Sequence, residues 1–285
     1  MDCEFALNEG GWIMADDAGR VKYVSVSTAD KSSIPVIVTA RGTSTHSSMP
    51  RPDNAIFALS KALAKLANYE TPVQLTPSTR QFFTTLANTS SPPISRYFRD
   101  LLGTDPAAVI RADREISKDP LLHAILRNTI APVRLNAGFR SNVIPSSADA
   151  TINVRIIPGT DPNQIVRDFA RIIDDPAITV SLANPSAGPS NIPASSENTD
   201  LYRALEREAK TTFPGTAVTP YLFQAGTDAG AWRSRGVPVY GIYPYPITAD
   251  QLTRMHGNDE NVNVESLRLG TEMIYKTLVD VAANH

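Results

Sequence analysis

The residues that could carry chemistry sit in a few short polar segments. His46 lies in Ala40-Arg-Gly-Thr-Ser-Thr-His-Ser-Ser-Met-Pro50, directly after a strand-like run. Loops of this kind are where positioned functional groups concentrate, although a solvated loop histidine reads the same way. His256 lies in Met255-His-Gly-Asn-Asp-Glu-Asn-Val262. An imidazole in an acidic, glycine-containing loop can ligate a metal or act as a base, and it can equally belong to a capping turn. Glu9, in Ala6-Leu-Asn-Glu-Gly-Gly11, ends an apolar stretch. The two glycines allow close backbone approach and let the carboxylate project into a cleft; the plain alternative is a turn. Gly226-Thr227-Asp228-Ala229-Gly230 follows a strand and precedes a helix, so its backbone N–H groups can hold an anion. Arg155 is mid-strand, where a guanidinium either recognises a carboxylate or covers an exposed sheet face. His123 reads as a surface or packing residue, and His285 is terminal.

Other chemistries find no support. No Gly-x-Ser-x-Gly elbow and no Gly-x-x-x-x-Gly-Lys loop occurs. The single cysteine, Cys3, rules out an internal disulfide and a cysteine-based zinc site. With 27 basic and 29 acidic residues the net charge is −2, without the basic excess of a general nucleic-acid binder. No apolar run approaches the ~20 residues that span a bilayer, and no membrane partner is expected. The N-terminus shows no signal-peptide pattern. The compartment stays open: a cytoplasmic setting is favoured, and a secreted parent follows if a signal peptide lies upstream.

The 285 residues suffice for one large domain or two ordinary ones, and 42% hydrophobic content supports a packed core. Val21–Ser27 and Ile34–Thr39 read as strands, with turn chemistry at Asp16–Gly19. Ile56, Leu59, Leu63 and Leu66 give residues 54–69 an amphipathic helical stripe. Residues 71–132 are rich in proline and read as a helical insertion, with helices near Ile94–Leu102, Pro106–Arg114 and Leu121–Asn128. Strands follow at Val133–Gly138 and Ala148–Ile157, then a helix over Pro162–Ile173 capped by Asp161, then a strand at Ile178–Leu182. The order β-α-β-β-α-β over 34–183 is the ferredoxin-like pattern. A linker-like stretch, 184–196, precedes a helix over Glu197–Thr212 capped by Ser195 or Ser196. Strands at Val218–Phe223 and Val237–Ile242, a short helix at Asp228–Ser234 and a long helix over Val264–Ala283 complete an α/β layer too small to stand without further strands.

Taken together, these segments resemble the peptidase M20 family, the dinuclear-zinc aminoacylases, deacylases and carboxypeptidases. The His46 segment through Ile56 is similar to that family's lid signature. Ser141-Asn-Val-Ile-Pro145, Asn153-Val-Arg-Ile-Ile-Pro-Gly159, Gly226-Thr-Asp-Ala229 and His256-Gly-Asn-Asp-Glu-Asn-Val262 follow in the family's order. The resemblance implies an α/β with α+β fold: a ferredoxin-like lid and dimerisation domain at 34–183, carrying the 71–132 insertion. The lid is set into a zinc-peptidase-like catalytic domain, represented by 1–33 and 184–285.

By that resemblance Glu9 is an acidic ligand of one zinc and His256 a histidine ligand of the other. His46 reaches across a homodimer to stabilise the oxyanion. Asn142 and Arg155 bind the substrate carboxylate, with Gly226 and Thr227 in the same pocket. The substrate is a small peptide or N-acyl amino acid, cleaved at an amide next to a carboxylate-bearing residue by metal-activated water. The family's first His-x-Asp, bridging aspartate and Glu-Glu pair lie upstream of Glu9. The expectation is therefore a C-terminal portion of such an enzyme, inactive alone. The alternative is a non-catalytic dimerisation and carboxylate-binding module.

Overall fold

The computed structural model describes residues 3–188 and 191–283; His285 lies outside the described residues. The chain divides into two compact units, one formed by residues 1–30, 75–126 and 192–285, the other by residues 31–74 and 127–191.

The strands are β1 (Ala6–Ala15), β2 (Val21–Asp30), β3 (Ser32–Arg41), β4 (Thr45–His46), β5 (Thr129–Ala137), β6 (Val143–Ile144), β7 (Ser147–Ile156), β8 (Ile178–Leu182), β9 (Ala217–Phe223) and β10 (Val239–Ile247). The helices are α1 (Ala55–Ala67), α2 (Pro77–Thr89), α3 (Ile94–Leu102), α4 (Pro106–Ile116), α5 (Pro120–Leu126), α6 (Pro162–Ile173), α7 (Asp200–Thr212), α8 (Ala229–Arg233), α9 (Ala249–Thr253) and α10 (Val264–Ala283).

The first unit holds a four-stranded mixed sheet, β1-β10-β2-β9, in which β1 also bonds β2. β1 runs parallel to β10, β2 parallel to β9, and β1 antiparallel to β2. The turn between β1 and β2 is the Asp16–Gly19 segment, where the Asp16 carboxylate accepts from the Ala18 and Arg20 N–H groups. β1 is irregular at the point that bears Glu9. Its pairing with β10 slips between Asn8 and Trp12, and Gly10 and Gly11 take φ of 109° and 77°. L side chains rarely adopt such angles, so the glycines are what let the strand bulge here. On the facing strand a Cβ at Gly241 would lie 2.1 Å from the Glu9 carbonyl oxygen. Ile13, Val24, Val26, Leu205, Tyr240 and Met273 make the core on one face.

The helical insertion lies differently from the sequence expectation. Leu75–Leu126 clusters with the first unit, not with the β3–β8 sheet. The reason is aromatic packing: Phe82 of α2, fully buried, meets Tyr23 and Tyr221 edge-on at 5.4 and 5.3 Å. α2 itself was not foreseen. α7 starts later than its sequence suggests, at Asp200, because Thr199 is its cap. Ser195 is instead buried and bonded to both polar groups of the Val239 backbone.

In the second unit the sheet order is β5-β7-β3-β8, with every neighbouring pair antiparallel. β3 and β7 pair in register from Ser32↔Ile156 to Arg41↔Ser147. Their inward residues, Val36, Val38, Ala150, Ile152 and Val154, are fully buried against α1 and α6. The buried stripe of α1 keeps Leu59 and Leu66 of the expected one but has Ala55 and Ala62 in place of Ile56 and Leu63, and Ile56 faces solvent at 38% exposure. Asn54 caps α1 by accepting from Ile56 N–H at 2.9 Å, and Asp161 caps α6 as anticipated.

Candidate functional site

His46 stands at the end of β4, which pairs with β6 through His46↔Val143 and Thr45↔Ile144. The Ser47 N–H donates to the Asn142 carbonyl at 3.0 Å, so the His46 loop and the Asn142 loop are held together. The ring is exposed, and its hydrogen bonding fixes its chemistry. Ser48 N–H donates to Nδ1 at 3.2 Å, and the Ser48 hydroxyl lies 2.8 Å from the same nitrogen. A backbone N–H can only donate, so Nδ1 is bare and the neutral ring carries its proton on Nε2. The ring therefore presents an N–H donor outward.

Arg155 belongs to the same unit but to the other end of the sheet. It pairs with Ser33 and Thr129, whereas Asn142 precedes β6 at the Ser147 end of β7. Arg155 lies eight positions beyond Ser147, which is roughly 26 Å along a strand. The structure thus brings His46 and Asn142 together and keeps Arg155 away from them within one chain.

In the first unit the exposed Glu9 side chain has one anchor, the Tyr243 hydroxyl, which donates to Oε2 at 2.8 Å. Tyr243 is stacked on Trp12 at 4.8 Å and tilted against Phe223 at 6.4 Å. Burial first, and then the Glu9 carboxylate, hold its phenol well above the ordinary tyrosine range. It therefore stays protonated and remains a donor. Glu260, four residues beyond His256, acts more weakly in the same direction on Tyr243. His256 is exposed, with φ of 62° in the turn after α9.

Gly226 and Thr227 follow β9. The Thr227 hydroxyl is already committed: it donates to Asp30 Oδ2 at 2.5 Å and accepts from Ala229 N–H at 3.1 Å. Any ligand there meets backbone, not the hydroxyl. Asp30, Arg233 and Tyr243 were not singled out from the sequence, since each acts through a partner close to 200 residues or more away. His123 is half-buried on α5.

Comparison with known proteins adds the family. The M20 family model described as a peptidase dimerisation domain matches residues 28–180, more than half of the chain. The chain belongs to the M20 peptidase family. It is 31% identical over 280 residues to a probable carboxypeptidase S-like 2 of Dictyostelium discoideum, covering 97% of this chain and 51% of that protein. It is 25% identical over 278 residues to the human N-fatty-acyl-amino acid synthase/hydrolase PM20D1, covering 96% of this chain and 54% of that protein. The chain spans about half the length of the curated relatives it matches. Its fold is similar to the M20 family metallo-carboxypeptidase Sso-CP2 of Sulfolobus solfataricus, at TM-score 0.56 and 16% identity over 94% of this chain and 61% of that one.

Sso-CP2 is named for its dependence on a metal ion. The donor set present does not fit one. A catalytic zinc takes about three protein ligands. Among the described residues no group of three or more His, Cys, Asp or Glu is arranged to hold a metal ion.

Proposed function

We propose that this chain is the C-terminal portion of a dinuclear-zinc amidohydrolase that cleaves an amide next to a carboxylate-bearing residue of a small peptide or N-acyl amino acid. In this reading the metal-activated water depends on ligands beyond Glu9 and His256. This chain contributes recognition of the substrate and stabilisation of developing charge. The observation that carries the reading is the His46 ring, whose Nδ1 is occupied by Ser48 and whose Nε2–H is free to donate. A donor aimed at the oxygen that becomes negative when an amide is attacked stabilises the transition state more than the ground state. Asn142, tied to the same loop, contributes a polar contact, and Arg155 a carboxylate contact. Gly226 and Thr227 offer backbone N–H groups.

The second unit is read as a ferredoxin-like lid, supported by its strand order and by α1 and α6 packing on one face. It is also read as the dimerisation surface. Its edge strand β5 exposes Val133 and Leu135 at 63% and 61%, and α1 exposes Phe57 at 66%. An unpaired apolar edge favours a second strand. The distance between His46 and Arg155 supports use of His46 in trans, because one small substrate meets both groups only if two copies contribute.

The alternative reading is a dimerisation and carboxylate-binding module without catalysis; among the described residues no three His, Cys, Asp or Glu gather to hold a metal ion. The deciding experiment assays the protein purified from its native source, in the length in which it is translated, on N-acetyl amino acids and on the same compounds with the carboxylate amidated. Hydrolysis is expected for the free acids, falling about 100-fold or more when the charged partner of a buried site is removed. Equal rates contradict the carboxylate reading, and no hydrolysis of either series favours the module.

A further inference from the structure

The first unit contains a buried ion pair that the proposed chemistry does not use. Arg233 Nη1 lies 3.1 Å from Asp30 Oδ1, with side-chain exposures of 3% and 9%. The guanidinium is held by further bonds: Nε donates to the Ser195 hydroxyl at 3.1 Å and Nη2 to the Val239 carbonyl at 2.8 Å. The carboxylate is held as well. Oδ1 also accepts from the Ser27 hydroxyl at 3.0 Å, and Oδ2 accepts from the Thr227 hydroxyl at 2.5 Å. Thr227 passes the restraint on, since its Oγ1 accepts from Ala229 N–H. A chain of bonds therefore runs from a fixed guanidinium through one carboxylate to the segment that joins β9 to α8.

Burying two charges is a poor route to stability, because their desolvation offsets most of their attraction. A volume that only needed filling is filled more stably by apolar side chains. What the pair supplies is direction. A carboxylate with both oxygens engaged leaves the Thr227 hydroxyl a single good orientation, and that hydroxyl is joined by one residue to the Gly226 backbone. Asp30 is also the last residue of the first unit before the chain passes to the second.

We propose that Asp30, held by Arg233, is a positioning residue that clamps Thr227 and thereby fixes the Gly226–Thr227 backbone as an anion cradle. The inference rests on the reading that this segment takes a substrate carboxylate, and it goes beyond that reading by assigning the residues that hold the cradle in shape.

The test uses the full 285-residue chain and N-acetylglycine as the carboxylate probe. Backbone amide hydrogen exchange is followed at residues 226–229 in the wild type, Thr227→Val and Thr227→Ser. The valine keeps the shape and removes the hydroxyl; the serine keeps the hydroxyl. Thr227→Val is expected to speed exchange in this segment about tenfold or more, as a lost local hydrogen bond of ~1.4 kcal/mol would. It is also expected to weaken N-acetylglycine binding by a similar factor, and Thr227→Ser is expected to restore both. Asp30→Asn reports the same clamp from its other side. Wild-type exchange and binding in Thr227→Val overturn the proposal, and so does a serine variant that fails to rescue. Faster exchange, rescued by serine, in a protein that never binds N-acetylglycine upholds the clamp and removes the carboxylate reading of the segment.

Discussion

Replacing His46 with alanine is expected to lower kcat of the native-length enzyme about 100-fold or more, the usual cost of one oxyanion donor. KM is expected to stay within a few-fold, because a donor aimed at developing charge contributes little to ground-state binding. The geometry makes a second, sharper demand. His46 lies on the separate β4–β6 ladder and Arg155 at the far end of β7, so within one chain they would meet different substrates. Mixing His46→Ala protein with Arg155→Ala protein, each weakly active alone, is then expected to restore activity as mixed dimers form with one intact combination of sites. A mixture no more active than the average of its components would contradict use of His46 in trans. A His46→Ala protein with wild-type kcat would remove the oxyanion role altogether.

The largest expected effect on stability comes from Arg233→Met. It leaves the Asp30 carboxylate buried without its cation and strips donors from the Ser195 hydroxyl and the Val239 carbonyl. Breaking a buried pair from one side costs about 3–5 kcal/mol. Urea denaturation measures this as a lower midpoint with an unchanged slope. The double variant Asp30→Leu with Arg233→Met is expected to recover part of the loss, since both charges are then gone and the cycle isolates their coupling. A loss below ~1 kcal/mol in the single variant would mean that water reaches the pair and that it behaves as a surface contact.

Much of the fold was legible because its elements follow simple periods. Ile178–Leu182 and Val264–Ala283 fall where the sequence predicts them, and the alternation of residues 148–157 is the buried face of β7. The failures have identifiable causes. α2 carries four threonines and one clear apolar group, Phe82, Phe83 and Leu86, so its helical signal is weak until the aromatic partners Tyr23 and Tyr221 are in place. β1 is broken in pattern by Asn8, Glu9 and two glycines, the same residues that make its bulge. Ser195 has the composition of a helix cap, yet its hydroxyl is occupied by the Val239 backbone and Arg233. The expectation that 71–132 belongs with the lid followed chain order, and packing against β9 and β2 assigns those helices elsewhere.

The candidate site divides along the same line. The polar loop that carries His46 was legible, since loop polarity and motif order coincide within a few residues. The tautomer of the His46 ring was not, since that depends on the Ser48 N–H turning back onto Nδ1. The Tyr243 anchor of Glu9 joins residues 234 apart, and the Asp30 clamp of Thr227 joins residues 197 apart. Only the folded sheet brings such pairs together. Asn142 and Arg155 are expected from the sequence in one carboxylate site, yet Arg155 pairs with Ser33 and Thr129, far along the second unit from the loop that carries Asn142.

On the proposed reading this chain contributes substrate recognition and charge stabilisation, and the metal centre depends on ligands beyond Glu9 and His256. That reading is checked by the zinc content of the purified, dialysed 285-residue chain, measured by plasma emission. Well under one zinc per chain is expected, with no change in Glu9→Gln or His256→Ala. About two zinc per chain, lost in those variants, would contradict it and would mean that the chain completes a dinuclear site with residues the described fold does not bring together.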